Sequence, residues 1–221
     1  LYKELFFFII FYELVRLGIY FFIYFFLFQV NCFSQQLNPK KIFLGELIND
    51  FVEAKYPEET FIDYLYIGIK RQQLYYFQNG KLLSVFSVST AKKGAGNDFS
   101  SNQTPTGLHS IKQKIGDNAP IGTLFKNKKN TGTIVKIHQE EYLESKDEIT
   151  SRILVLSGKE NGINKGSNKD TFSRGIYIHG TSDESSIGYA KSHGCVRMKN
   201  NDIIKIFDFI SEGTLVVLID N

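Results

Sequence analysis

The hydrophobic pattern begins with a strongly apolar N-terminal region. Residues 5–30 are almost all apolar, and their longest uninterrupted part, Leu17 to Phe28, has twelve residues. That length is typical of the apolar core of a secretory signal peptide, because a helix that crosses a bilayer needs about 20 residues. Cys32 and Ser34 are small residues at positions suited to cleavage just after them. We therefore expect residues 1–34 to be a signal peptide, with an uncleaved membrane anchor or a lipidated Cys32 as alternatives.

A helical period follows this apolar region, and we expect residues 35–60 to form an N-terminal helical segment. Apolar positions at the spacing i, i+3, i+4, i+7 and i+8 predict an amphipathic helix from Lys40 to Lys55, which Pro57 then ends. The apolar stripe consists of Leu44, Leu47, Ile48, Phe51 and Val52. We expect this helix to pack onto the domain that follows it.

From residue 64 onward the period changes to that of short β-strands. Asn79-Gly80 between two of them is a strong hairpin signal, because both central residues of a type I′ turn need positive φ. One further helix is expected to begin with Asn200 or Asn201 as its cap. Many short strands, few helices and long loops indicate a mostly-β domain. The strand-like stretches are Tyr64–Lys70, Gln73–Gln78, Lys81–Thr90, Leu108–Ile115, Thr133–His138, Arg152–Ser157, Ile176–Gly180 and Thr214–Asp220.

Length, charge and cysteine content narrow the picture further. A chain of 221 residues is expected to hold one compact domain, which we place at residues 61–221, besides the targeting segment. The formal net charge is +3, and no basic stripe of the kind that binds nucleic acid is present. Cleavage after Ser34 would leave Cys195 as the single thiol, so no disulfide could form within the mature chain. A lone thiol in an oxidising compartment indicates that it has a use.

Candidate chemistry is concentrated in the C-terminal part of the chain. A short apolar strand ends near His179, and Cys195 follows sixteen residues later. A thiol and an imidazole at the mouths of neighbouring elements are what cysteine nucleophilic catalysis requires, since the imidazole takes the proton and the thiolate attacks a carbonyl. Two other interpretations compete. Cys195 could be an inert core residue, or His179, His193 and Cys195 could bind zinc, although a clear fourth ligand is lacking.

The complete pattern around these residues resembles that of a known family. His179-Gly180, a short polar spacer, and Ser192-His193-Gly194-Cys195-Val196-Arg197-Met198 resemble the L,D-transpeptidase catalytic domain family, of the YkuD-like or ErfK/YbiS type. The resemblance extends from about Asp63 to Asp220. It implies a β-sandwich-like fold with two mixed sheets and a few short helices, with the cysteine at the base of a cleft. Thr104-Pro105-Thr106-Gly107 is also familiar from this family, although a plain turn before a strand explains it equally well.

The resemblance also implies roles for the residues of the site. Cys195 would be the nucleophile, and His179 the general base and later the proton donor. Gly180 would act through its carbonyl, which can orient an imidazole, and Gly194 would let the substrate approach closely. His193 would support the site, with a hydrogen-bonded structural histidine as the alternative. Neither a metal nor an organic cofactor is implied, because thioester chemistry is carried by cysteine and histidine alone.

Two further residues of the motif are expected to contact the substrate. Arg197 is suited to a substrate carboxylate, because a guanidinium binds a carboxylate through two parallel hydrogen bonds, and Ser192 is assigned to the same function. His109 and His138 lie in predicted strands and are expected to be structural. The charge-rich run Gln139–Glu148 is expected to be a solvated face.

The function that the resemblance implies is peptidoglycan cross-linking in the periplasm or cell envelope. The enzyme would attack the L,D peptide bond of a tetrapeptide stem, release D-alanine, and pass the acyl group to the amine of a second stem or of an envelope lipoprotein. An L,D-carboxypeptidase or cross-link hydrolase, with water as acceptor, and a non-catalytic envelope-binding module are the alternatives. A protease of the papain kind is set aside, because no histidine follows Cys195. Contact with a membrane is expected only through the N-terminal segment.

Overall fold

The computed structural model of the chain describes residues 39–140 and 147–221. The predicted signal peptide or anchor, residues 1–34, lies outside the described residues. The elements, in order, are α1 (Pro39–Lys55), β1 (Tyr64–Gly68), β2 (Gln73–Gln78), β3 (Lys81–Ser89), β4 (Gly107–Ile115), β5 (Thr123–Lys126), β6 (Lys129–Ile134), β7 (Ile149–Gly158), β8 (Tyr177–Thr181), β9 (Val196–Met198), α2 (Asn200–Phe209) and β10 (Leu215–Ile219). Short 3-10 helices occupy Ser167–Lys169 and Glu184–Ser186.

The strands form a closed, mostly antiparallel arrangement. Their order in the described part of the chain is β4-β10-β1-β2-β3-β9-β8-β7-β5-β6, and β4 also pairs with β7. The parallel pairs are β1 with β10 and β8 with β9. The expected mostly-β fold with few short helices is confirmed. The resemblance implied two mixed sheets, and the pairing of β4 with β7 joins them into one continuous sheet. Strands β5 and β6 form a hairpin at the edge of this sheet.

The apolar core lies between the strands and α2. Apolar side chains from both ends of the chain meet there because β10 pairs in parallel with β1. Helix α2 contributes Ile203, Ile206 and Phe207 from one side. The strand residues of the same core include Leu65, Ile67, Leu74, Val88, Ile111, Leu154, Leu156, Ile178, Val196, Met198, Val216 and Leu218. Ile178 and Val196 directly flank the candidate site in sequence, so the core holds the strands that carry it.

Helix α1 has the predicted position in the chain. Ile48–Asn221 forms one compact unit, and within it Ile48 and Val52 are buried, as the apolar stripe predicts, whereas Phe51 of the same stripe is 41% exposed. Asn49 donates from Nδ2 to the Gly80 carbonyl at 2.6 Å, which ties this part of the helix to the β2–β3 turn. Over residues 39–140 and 147–221, no helix has the length and apolar character that crossing a bilayer demands.

Most predicted strands are confirmed, and the differences have local causes. Asn79 and Gly80 have φ of 49° and 68°, as the predicted hairpin requires. The strand predicted at Thr133–His138 is wrong, because β6 ends at Ile134 and His138 forms only an isolated bridge with Asp183. The β5–β6 turn also has positive φ, but at Asn127 and Lys128. Lysine is not a typical residue for that conformation, so this hairpin carried no recognisable signal.

The start of α2 differs from the predicted cap. Lys199, not an asparagine, occupies the N-cap position, and it makes no side-chain capping bond. The Glu184 carboxylate instead accepts hydrogen bonds from the Asn200 backbone N–H at 2.7 Å and from its Nδ2 at 2.8 Å. A carboxylate at a helix N-terminus satisfies free N–H groups and is favoured by the helix dipole. The buried Asn200 side chain also makes hydrogen bonds to strands β7 and β8.

Candidate active site

Strands β8 and β9 bring the histidine and the cysteine of the sequence motif to one face of the sheet. They run parallel, with His179 opposite Arg197 and Ile178 opposite Val196. One residue earlier, Cys195 lies beside Tyr177, whose N–H donates to Sγ at 3.4 Å. His179 is therefore one strand across from Cys195 and two residues along, about 4.8 Å by about 6.6 Å. Side chains can span such a diagonal.

The Cys195 thiol is held by backbone groups in its resting position. Sγ donates a hydrogen bond to the Gly175 carbonyl at 3.5 Å, in addition to accepting the bond from the Tyr177 N–H. Within the described residues, no hydrogen bond joins Sγ to the His179 ring. Hydrogen bonds between a nucleophile and its base are often loose before substrate binds. The thiol has to turn away from Gly175 to deliver its proton to the imidazole.

The surroundings of the sulfur keep it protonated at rest. Burial raises the pKa of the Cys195 thiol to about 12, against the opposing effect of the Tyr177 N–H. The Asp147 carboxylate raises this pKa further, whereas the guanidinium groups of Arg197 and Arg174 lower it. The thiol is therefore neutral at neutral pH, and attack on a carbonyl requires a base that takes the proton during the reaction.

His179 is oriented for that task by its own neighbour in the chain. Its Nδ1 lies 2.7 Å from the Gly180 carbonyl. A carbonyl only accepts hydrogen bonds, so Nδ1 carries the proton and Nε2 is the basic nitrogen. Among residues 39–140 and 147–221, none makes a hydrogen bond to Nε2. Burial lowers the pKa of His179, and the charge of Asp147 opposes that effect. A neutral imidazole with a fixed tautomer is the form that can accept a proton.

Gly180 is held between strand β7 and the start of helix α2. A Cβ at this position would lie 2.6 Å from Oδ1 of Asn200 and 2.7 Å from the Thr150 carbonyl. The same Asn200 side chain donates to the Thr181 carbonyl at 2.7 Å and accepts from the Thr150 hydroxyl at 2.7 Å. Only glycine fits without displacing these groups. The carbonyl that orients His179 is thus fixed by packing on both sides.

The turn before Cys195 is held by hydroxyl groups. The Ser192 hydroxyl accepts from the Gly194 N–H at 3.2 Å and donates to the Cys195 carbonyl at 2.6 Å. Gly194 has φ of 132°, a conformation that favours glycine. The buried Thr104 hydroxyl donates to the Gly194 carbonyl at 3.0 Å. The Thr-Pro-Thr-Gly motif therefore contacts the cysteine turn, and Ser192 is buried and occupied by backbone groups.

A carboxylate that the sequence did not single out joins His193 and Arg197. Asp147 lies 2.7 Å from Nδ1 of His193 and 2.8 Å from the Arg197 guanidinium. Burial alone would raise the pKa of Asp147, but Arg197, followed by His179 and His193, holds it below its usual value. Asp147 belongs to the run Gln139–Glu148 that was expected to be a solvated face. For Asp147 that expectation is wrong, because ion pairs with residues far along the chain draw it toward the site.

The same contacts define the surroundings of the other predicted support residues. The His193 side chain is 69% exposed, with its ring bonded to Asp147. Arg197 is only 3% exposed, and its charge is balanced by the same carboxylate. The guanidinium Nε of Arg197 has no partner among the described residues. A substrate carboxylate would have to compete with Asp147 for Arg197.

A second arginine approaches the thiol from the turn before strand β8. Arg174 is half-buried and donates to the Gly96 carbonyl at 3.1 Å, the Ser101 hydroxyl at 3.2 Å and the Gln103 carbonyl at 2.6 Å. Its chain neighbour Gly175 accepts the hydrogen bond from Cys195. Burial lowers the pKa of Arg174, and the charges of Asp98 and, to a smaller extent, Cys195 oppose that effect. Arg174 thus fastens the loop before β4 to the turn that leads into β8.

One histidine outside the motif, His109, is buried in the fold. His109 is fully buried, with Nδ1 3.0 Å from the Gly107 carbonyl and Nε2 3.0 Å from the Thr171 hydroxyl. Both nitrogens are therefore used in packing, in agreement with a structural role. In the part of the chain that the structure describes, no group of three or more His, Cys, Asp or Glu side chains has an arrangement suited to a metal ion.

Comparison with known families decides which family this arrangement belongs to. Residues 62–218, most of the chain, match the family model described as the L,D-transpeptidase catalytic domain, YkuD. The chain belongs to this L,D-transpeptidase family. The matched region begins just before β1 and ends within β10, so it includes every strand described above. The family resemblance drawn from the His-Gly and Ser-His-Gly-Cys residues is confirmed.

Curated relatives match over short segments. The chain is 42% identical over 53 residues to the putative L,D-transpeptidase YqjB of Bacillus subtilis, which covers 24% of this chain and 30% of that protein. It is 49% identical over 43 residues to the probable L,D-transpeptidase YbiS of Escherichia coli, which covers 20% of this chain and 14% of that protein. The aligned parts thus span less than a third of either relative.

Solved L,D-transpeptidases resemble the chain at low sequence identity. The L,D-transpeptidase from Xylanimonas cellulosilytica superposes with a TM-score of 0.45 at 18% identity, covering 74% of this chain and 63% of that one. The L,D-transpeptidase from Mycobacterium smegmatis gives a TM-score of 0.43 at 17% identity, covering 71% and 58%.

Proposed function

We propose that this chain is an exported peptidoglycan L,D-transpeptidase with Cys195 as nucleophile and His179 as general base and acid. The donor is a tetrapeptide stem that ends in D-alanine, and the acceptor is an amine of a second stem or of an envelope lipoprotein. The observation that carries the proposal is the His179 imidazole. Its tautomer is set by the Gly180 carbonyl, and its basic Nε2 is left without a hydrogen-bond partner among the described residues.

The first half of the reaction forms a thioester. His179 Nε2 takes the proton of the Cys195 thiol as Sγ bonds to the carbonyl carbon of the L,D peptide bond. The resulting tetrahedral oxyanion is held by backbone donors, for which the Cys195 N–H is the candidate. The C–N bond then breaks, and the imidazolium returns its proton to the amine of the departing D-alanine. This order suits a thiol whose pKa is raised to about 12, since no thiolate has to exist beforehand.

The second half of the reaction regenerates the thiol. The acceptor amine attacks the thioester carbonyl, His179 removes a proton from that amine, and a new amide C–N bond forms. The C–S bond breaks, and Cys195 recovers its proton from the imidazolium. When water replaces the amine, the same steps give a carboxypeptidase or hydrolase. The choice of acceptor therefore lies outside the Cys195–His179 pair and depends on how the cleft admits amine or water.

The turn residues and the Asp147 ion pairs support this chemistry without reacting. Ser192 and Thr104 hold the turn that presents Cys195, through hydrogen bonds to the backbone of residues 194 and 195. Asp147 supplies the negative charge that favours the imidazolium form of His179. His193 and Arg197 in turn hold Asp147. Placement outside the cytoplasm rests on the apolar residues 5–30 and on the single thiol that cleavage after residue 34 would leave.

The proposal is tested by product analysis. The full chain and its Cys195→Ala variant, both in mild detergent, are each incubated with a purified disaccharide-tetrapeptide. The products are identified by mass spectrometry. A cross-linked dimer and free D-alanine, both absent with the variant, are expected. If the product is tripeptide without dimer, even when stem amines are added as acceptors, the chain is a hydrolase and not a transpeptidase. No turnover and no adduct on Cys195 would overturn both and favour an envelope-binding module.

A further inference from the structure

Arg174 makes no ion pair with a carboxylate among the described residues, and the charge of Asp98 acts on it only from beyond hydrogen-bond contact. Its acceptors are the neutral carbonyls of Gly96 and Gln103 and the neutral hydroxyl of Ser101. Arg197, by contrast, has the Asp147 carboxylate at 2.8 Å. A charge that is partly removed from water is normally paired with an opposite charge. The half-buried guanidinium of Arg174 therefore has no anion in direct contact among the described residues, and Asp98, the carboxylate whose charge acts on it, is itself exposed.

An anion in direct contact with this guanidinium is sought on the side of the thiol. Gly175, next to Arg174 in the chain, accepts the hydrogen bond of Cys195, and each of Arg174 and Cys195 lies within the other's electrostatic field. The three hydrogen bonds that Arg174 makes use three of the five N–H donors of a guanidinium, which leaves two for a ligand. A ligand seated over Cys195 can reach them.

The donor stem proposed above has a carboxylate in the corresponding place. In a peptide that ends in D-alanine, the terminal carboxyl carbon is only about 3 to 4 Å from the carbonyl carbon that the thiol attacks, as set by the intervening N and Cα atoms. When that carbonyl lies over Sγ, the carboxylate comes within the reach of an arginine side chain beside the thiol. The negative charge and the acceptor oxygens of this carboxylate then match the positive charge and the two remaining N–H donors of Arg174.

We propose that Arg174 binds the terminal carboxylate of the donor stem and thereby selects stems with a free C-terminal D-alanine. This assignment rests on the proposed function. It transfers to Arg174 the role that the sequence suggested for Arg197, whose charge is already held by Asp147. Arg174 is a specificity residue in this scheme: it contacts the group that leaves, and the same hydrogen bonds to Gly96, Ser101 and Gln103 hold it in position.

The test compares two donors with two proteins. The full chain and its Arg174→Gln variant are offered a disaccharide-tetrapeptide that ends in D-alanine and the same compound that ends in D-alaninamide, and the rate of acylation of Cys195 is followed by mass spectrometry. We expect the unmodified protein to prefer the free acid by roughly 10- to 100-fold, the value of a hydrogen-bonded charge. In the variant this preference should largely vanish, because only the acid becomes a poorer donor.

Two control variants separate recognition from the fastening of the loop. Ser101→Ala removes one of the three contacts that position Arg174 but keeps the charge, and it should reduce the preference for the acid only slightly, because the carbonyl acceptors of Gly96 and Gln103 remain. Arg174→Lys keeps the charge without the planar fork, and it should retain part of the preference. An Arg174→Gln variant that slows both donors equally would overturn the proposal and leave Arg174 as a loop fastener only.

A third donor distinguishes the carboxylates of the stem. Amidation of the free carboxylate on the diamino acid, with D-alanine left intact, should lower the rate equally in both proteins or not at all. A preference at that position that Arg174→Gln abolishes would overturn the assignment to the terminal carboxylate. Absence of acylation by every donor in the unmodified protein would refute the proposed function and this inference with it. Acylation without discrimination between acid and amide would refute this inference alone.

Discussion

Two buried histidines of this domain have nearly the same surroundings, and only one of them lies at the candidate site. His109 on β4 and His179 on β8 are 0% and 1% exposed. Each bonds through Nδ1 to a backbone carbonyl close by in the chain, that of Gly107 at 3.0 Å and that of Gly180 at 2.7 Å. Burial lowers the pKa of both rings. Neither burial nor the carbonyl bond therefore marks a histidine as a base.

The second ring nitrogen and the nearby charges separate the two. Nε2 of His109 meets the Thr171 hydroxyl at 3.0 Å, so its hydrogen-bonding capacity is used up inside the fold. Nε2 of His179 has no such partner in the part of the chain that is described. The charge acting on His109 is that of Arg174, which disfavours protonation, whereas Asp147 favours protonation of His179. A buried histidine can act as a base when one ring nitrogen has no hydrogen-bond partner and the charge of a nearby carboxylate stabilises the imidazolium.

Replacing each histidine in turn gives the largest expected contrast. His179→Gln should lower the rate of Cys195 acylation by a tetrapeptide donor roughly 1,000-fold, the scale of a lost general base. His109→Gln should leave the rate of the folded protein nearly unchanged. The measurement is acyl-enzyme formation by mass spectrometry, with circular dichroism to verify folding. Equal losses in the two variants would contradict the distinction.

The pH dependence of stability tests the same pair through folding. The pKa of His109 is lowered to about 4, while an unfolded histidine titrates near 6.5. Between these values the unfolded chain binds a proton that the folded protein refuses, so the free energy of unfolding falls as pH drops from about 6.5 to about 4. The expected loss from His109 is about 3 kcal/mol. Urea titrations of His109→Gln should show a flatter profile, and an unchanged slope would count against the buried neutral ring.

Alkylation of Cys195 tests whether the base acts on a neutral thiol. With a pKa near 12, the thiol should react with iodoacetamide about 100-fold more slowly at neutral pH than free cysteine, after allowance for the greater nucleophilicity of a more basic thiolate. The rate should keep rising above pH 9. The measurement uses a Cys32→Ser background, with the urea-unfolded chain as the control. A plateau already reached at pH 7 would indicate a preformed thiolate.

Removing the Asp147 charge should give the smallest of these effects. Asp147→Asn should reduce acylation about tenfold, equivalent to one pKa unit on the imidazolium. Because the carboxylate opposes the fall in the pKa of His179, its loss should lower that pKa further and move the acid limb of the rate profile to lower pH. Asp147→Glu should restore much of the rate. A slower variant with an unmoved acid limb would show that Asp147 only holds its neighbours in place.

The parts of this arrangement that could be predicted are those encoded by local patterns. The β2–β3 hairpin followed from Asn79-Gly80, and the orientation of His179 by a carbonyl followed from the His-Gly pair. Asp147 could not be found in this way, because its partners His193 and Arg197 lie 46 and 50 positions further along the chain. It stood in a charge-rich run that resembles any solvated face. The one available signal was the resemblance itself, and that pointed to the motif residues only.

The sequence by itself determined the family, most of the strands and the pair Cys195 and His179. These depend on side-chain type, on a period of two, and on glycines such as Gly194 whose positive φ is a matter of local sterics. Tertiary structure decided which charges meet at the site. It paired Arg197 with Asp147, left Arg174 without an ion pair among the described residues, and gave hydrogen-bond partners to both ring nitrogens of His109 but to only one of His179. The ion-pair and hydrogen-bond partners of a side chain depend on which residues the fold places next to it. Separation along the chain does not reveal which residues these are.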